Sequence, residues 1–133
     1  MPIHIVQLGS SRLEGEGLRL GTVRRPPRGV AKQDFARLNY YGLWLPVLAP
    51  GPETIKLGQQ ATSDAEWKKF IKKYRSEMSK SEPVMILNLL AALSKQTNFS
   101  VGCYCDDEAR CHRSELRKLL SELGAVIVDR RYG

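Results

Sequence analysis

Apolar positions fall into short blocks near the start of the chain and into periodic stretches further on. Ile3 to Leu8 is a brief apolar run closed by Gly9-Ser10-Ser11, which predicts a buried strand ending in a loop. Leu18 to Val23 predicts a second strand or extended piece, running directly into Arg24-Arg25-Pro26-Pro27-Arg28-Gly29. The paired prolines fix φ and remove backbone donors, so this stretch reads as a rigid loop that displays three arginines. Tyr40 to Leu48 is apolar and aromatic and is interrupted by Pro46 and by Pro50-Gly51-Pro52, which leaves both strand and helix open for it.

From Ser63 onward the period becomes helical. Ser63-Asp64-Ala65-Glu66 has the pattern of a capping box, with Ser63 as N-cap and Glu66 reaching back. Trp67, Phe70, Ile71, Tyr74 and Met78 then line one face of a helix. Lys68, Lys69, Lys72, Lys73 and Arg75 lie largely off that face, as a solvated surface would. Ser81-Glu82-Pro83 opens another helix, with Pro83 near the first turn, where a missing N–H is harmless. Ile86, Leu89, Leu90 and Leu93 are its predicted buried face.

Phe99 to Cys105 is strand-like, Asp106 to Arg110 is polar loop, and Leu116, Leu119, Leu120 and Leu123 return to helical spacing. Gly124 ends that helix as a C′ residue, and Ala125 to Val128 predicts a final buried strand. Strand, loop, helix and strand make a βαβ unit with parallel strands. Ligands of such sheets sit beyond the carboxyl ends of the strands, where Cys105 falls. With no repeat, linker or low-complexity tract, residues 1–133 read as a single α/β domain.

Composition narrows the function classes. A hydrophobic content of 42% and a charged content of 26% in 133 residues exclude wholesale disorder. No apolar run approaches the roughly 20 residues of a membrane-spanning helix. The N-terminus lacks the basic start and small-residue cleavage site of a signal peptide, so a cytoplasmic location is expected. A net charge of +7 favours anionic partners, either a small anionic ligand or nucleic acid. The three cysteines, at 103, 105 and 111, form no secreted disulfide framework. Such a cluster points to metal binding, redox work or a nucleophile, although a cysteine on a buried strand also packs as a small hydrophobe.

A loop that leaves a strand and enters a helix directs free N–H groups at whatever lies ahead, and the helix dipole favours an anion there. Arg110, Arg113 and His112 add side-chain donors. Nearby cations should lower a thiol pKa, so either Cys105 or Cys111 is a candidate nucleophile. The phosphate loop of cysteine phosphatases and rhodanese-like sulfurtransferases has an arginine six positions after its cysteine. Here Cys111 stands at that position, and Arg113-Ser114 comes two residues later. A metal alternative takes Cys103, Cys105, Cys111 and His112 as zinc or iron ligands. Against it, Cys111 and His112 diverge if both are helical. A third alternative is a dithiol pair of Cys105 and Cys111. In a purely structural alternative, His112 and Arg113 cap the loop and bind Asp106, Asp107 or Glu108.

Three pieces carry a resemblance to a known family: Arg24 with Pro27-Arg28-Gly29-Val30; Leu43 to Pro50 with the Trp67–Phe70–Tyr74–Arg75 helix; and Cys105 to Ser114, with its Cys…Cys-His-Arg-Ser pattern. On these the chain resembles the family catalogued as "domain of unknown function 488", in its short YeaO-like branch. Val23 and Pro26 depart from that branch's aspartate and tryptophan. The resemblance implies a three-layer α/β/α fold with a mostly parallel sheet, Rossmann-like or flavodoxin-like, and it implies no activity. It also suggests that Arg24 and Arg28 face the Cys105–Arg113 loop across one cleft. The expected site therefore has Cys105, Cys111 and Arg113 as catalytic residues and Arg24, Arg28, Arg110, His112 and Ser114 as anion ligands. It has no cofactor unless the zinc or iron alternative holds. A nucleic-acid-binding module using Lys68 to Arg75 and the Arg24–Arg28 loop is the non-enzymatic alternative.

Overall fold

A computed structural model describes residues 2–128. Four strands, β1 (Ile3–Gln7), β2 (Leu18–Gly21), β3 (Leu43–Trp44) and β4 (Phe99–Cys103), pair in the order β1-β4-β2-β3, all parallel. The helices are α1 (Pro52–Gln60), α2 (Asp64–Met78), α3 (Ser81–Leu93) and α4 (His112–Glu122). β4 lies inside the sheet and every residue of it is buried, as a central parallel strand requires.

Pairing of Ile3 with Phe99, Ile5 with Val101 and Leu20 with Val101 sets these five side chains on one face. Phe70, Tyr74 and Met78 of α2, Leu87 and Leu90 of α3, and Leu116 and Leu120 of α4 pack on that face. The α/β class and the parallel sheet are as expected. Arg19, Gly21 and Ser100 point to the other face, and loops close it instead of helices. Tyr41 lies against Gly21, and a buried ion pair does much of the rest. Arg19 donates from Nε to Glu16 Oε1 at 2.7 Å and from Nη2 to Oε2 at 2.9 Å. It also bonds the carbonyls of Ser10, Ser11 and Asn39. Ser100 and the Leu13 N–H complete the shell of Glu16. Residues 8–42 have no helical period with which to build a second layer, so polar bonds hold them down.

Smaller differences have local causes. Ser63 caps α2 by accepting the Glu66 N–H, while Glu66 reaches back to Thr62 rather than to Ser63's backbone. Tyr40 to Leu48 divides into the short β3 and a 3-10 turn at Pro46–Leu48. The buried face of α3 is Pro83, Leu87, Leu90 and Ala91, whereas Leu89 and Leu93 are exposed. This helix is apolar nearly all round, so its period does not specify which side faces inward. The expected last strand is a single parallel bridge from Ile127 to Ile3, with Val126 exposed. Among the described residues, no helix is long and apolar enough to cross a membrane.

Burial alone would raise the Glu16 carboxyl, but its bonds to Arg19, Leu13 and Ser100 outweigh that and hold its pKa at about 2. The folded value lies below the unfolded one, so the stabilisation is complete above the unfolded pKa and is lost as pH falls through the folded one. Glu16→Gln should lower the urea midpoint at neutral pH, and the gap to wild type should narrow as the pH drops from 4.5 towards 2. Arg19→Met strands a buried carboxylate and should cost about 3–5 kcal/mol in the same denaturation series.

Candidate functional site

The strand ends gather the site. Gln7 closes β1 level with Cys103, which closes β4, and Thr22 follows β2. Gln7 Nε2 donates to the Tyr104 carbonyl and to Asp106 Oδ1, at 3.2 and 2.8 Å, fixing the start of the loop. Asp107 accepts the Ala109 N–H and caps a 3-10 turn at Glu108–Arg110. Cys111 is the N-cap of α4 and has an extended backbone, φ −139° and ψ 154°. Because Cys111 is extended and not helical, its side chain and that of His112 converge instead of diverging.

They converge on Cys103. The structure brings the sulfurs of Cys103 and Cys111 together as a disulfide pair, and His112 Nδ1 lies 3.7 Å from Cys111 Sγ. The three ligand atoms all lie within 4.8 Å of one another, and all three residues are buried. The Cα atoms of the two cysteines are 7.9 Å apart, wider than the roughly 7 Å that a disulfide spans without backbone movement. His112 Nε2 is 2.7 Å from the Thr22 carbonyl, which can only accept. The proton therefore sits on Nε2, and the Nδ1 lone pair faces the thiols. Burial lowers the His112 pKa to about 4, with Arg113 adding to the effect and the Thr22 bond opposing it, so the ring is neutral at pH 7.

A separate cleft of about 350 Å³ opens beside this trio. Its floor is β1, and Gln7, Ser10, Asp106, Glu108, Arg113 and Arg117 ring it. Arg113 is only 4% exposed. Its Nη2 donates to the Cys105 carbonyl at 2.6 Å, whereas its buried Nε has no hydrogen-bond partner. Burial pulls the Arg113 pKa below its ordinary value, against the pull of Glu108 and Cys105. Arg117 makes a bidentate bond to Glu108, at 2.6 and 3.0 Å.

The other expected residues scatter. Cys105 is exposed and unpaired. Desolvation is the largest influence on its thiol and raises it, Arg113 pulls it down, and Asp106 adds to the rise. That is opposite to the lowering expected from the loop's cations. Cys111 meets Cys103 and not Cys105, and Cys105 is absent from the metal-ligand group. Arg24 is committed to the carbonyls of Ala49 and Pro50. Arg110 stacks 5.5 Å over Trp67 and pairs with Asp64. Ser114 Oγ donates to the Cys111 carbonyl. Arg28 is exposed and makes no hydrogen bond or ion pair among the described residues. Of the basic residues on α2, Arg75 is held by Glu115 and Glu122, and Lys73 by Glu53.

Sequence reasoning missed Gln7, Thr22 and Arg117. Arg117 stands one helical turn beyond Arg113, so the i, i+4 spacing could have found it. Thr22 acts through its carbonyl, which no side-chain pattern reveals.

A parallel α/β sheet with a cysteine-bearing loop running from its central strand into a helix defines the class of this protein. Over residues 3–124 the chain matches the family described as DUF488-N3a, "Active DUF488-N3 subclade". It belongs to the DUF488 family. No curated protein and no solved structure matches it.

Cys105 is the exposed thiol, so iodoacetamide should label it before Cys103 and Cys111 in the folded protein. Its raised pKa predicts a labelling rate still climbing beyond about pH 8.5, the range of a free thiol. Peptide mass spectrometry across pH would show this, and rapid labelling that plateaus near neutrality would contradict it.

Proposed function

We propose that this protein binds a phosphate- or sulfate-like group in the cleft beside α4, with Arg113 as its principal ligand and Cys105 as the neighbouring accessible thiol. The observation that carries this reading is the buried Nε of Arg113, a donor on a charged group that lacks any partner. Leaving such a group unsatisfied is costly, and a guanidinium N–H makes a strong charge-assisted hydrogen bond to an oxyanion. The first N–H groups of α4 and its dipole favour negative charge at the same end. The net charge of +7 draws anions towards the molecule. The word "active" in the family description supports a catalytic role, for which Cys105 is the thiol a substrate can reach.

The test is thermal melting in phosphate against chloride at matched ionic strength. Phosphate at ten times its dissociation constant should stabilise the wild type by about 1.4 kcal/mol. Arg113→Met should abolish that shift. Arg24→Met should retain it, because Arg24 is bound to backbone carbonyls elsewhere. Cys105→Ser should also retain it, since only the backbone carbonyl of that residue touches Arg113. No shift in the wild type, or an equal one in Arg113→Met, would refute the reading.

A further inference from the structure

We propose that Cys103, Cys111 and His112 form a metal site suited to zinc, separate from the anion cleft. The three ligand atoms are already gathered within 4.8 Å. Two sulfurs on a tetrahedral zinc, each about 2.3 Å from the metal, stand roughly 3.8 Å apart. A disulfide holds them at about 2.0 Å. A Cα separation of 7.9 Å therefore suits a bridging ion better than a direct sulfur–sulfur bond.

The imidazole is oriented as a ligand would be. Its Nε2–H is held by the Thr22 carbonyl at 2.7 Å, leaving the Nδ1 lone pair directed at the sulfurs. Metal-bound histidines are characteristically fixed by such an outer bond from the second ring nitrogen.

Charge also fits. Binding removes one proton from each thiol, so two protons leave and two thiolates neutralise the dication. A neutral cluster can stay buried where an isolated charge cannot. Two thiolates and an imidazole are the donors of a borderline-soft ion such as zinc. Three protein ligands leave a fourth position. The buried hydroxyl of Tyr41, packed in the same cluster as both cysteines, has no hydrogen-bond partner. The ligands come from the end of β4 and the start of α4, and the outer bond comes from the end of β2, so a bound ion would pin three elements together.

The test is titration of the full, reduced, metal-stripped chain with cobalt(II) alone under anaerobic conditions. About one cobalt per chain should bind, with thiolate-to-cobalt charge-transfer bands and the intense visible bands of a tetrahedral site, and zinc should displace it. Cys105→Ser should bind as wild type does. Cys111→Ser should weaken binding by more than about 100-fold, the most that outer-sphere changes alone typically produce. If Cys111→Ser does not fold, the wild type and Cys105→Ser decide between them. Folded wild type without these bands would overturn the proposal, as would their loss in Cys105→Ser. Neither result bears on phosphate binding, which depends on Arg113.

Discussion

A hydrogen bond of 2.7 Å runs from Nε2 of His112, the first residue of α4, to the carbonyl that follows β2. It forms across 90 residues of sequence, in a buried setting. At the helix start held there, Cys111 is extended and its sulfur turns to Cys103. The same anchoring sends the next side chain, Arg113, down beside β1, where it lines the cleft. The sulfur cluster and the cleft lined by Arg113 are therefore two consequences of one anchored helix terminus, on opposite sides of a single residue.

The rest of the fold supplies a rigid platform for that terminus. Helices cover one face of the sheet with aliphatic and aromatic side chains. The other face relies on Glu16 and Arg19, whose mutual bonds and backbone contacts satisfy both charges. Burying a charge pair is tolerable only when the geometry is this complete. The two faces thus solve the same problem by different physics, and the polar solution leaves the strand ends free of a second helical layer.

What was legible in the sequence follows period and position. The face of α2 was legible because its charged residues interrupt the apolar ones at helical spacing. That of α3 was not, because apolar residues surround it and tertiary packing chooses among them. The Cys103–Arg113 segment stood out as the candidate site, and the family resemblance ran through it. Which sulfurs meet was not legible, since it depends on one residue, Cys111, being a cap and not the first residue of a helix. Arg24 and Arg110 looked like anion ligands because a pattern counts cations. It does not show the carbonyls and the tryptophan ring that already occupy them.

The tautomer and charge of His112 test this account most directly. Nitrogen-15 NMR of the imidazole should show a proton on Nε2 and none on Nδ1, with the ring staying neutral as the pH falls until about 4. A neutral ring protonated on Nδ1 would mean that the helix terminus is not anchored to Thr22, and one that titrates near pH 6.5 as an exposed histidine does would mean that the ring is not buried there. The arrangement built on it would then be wrong.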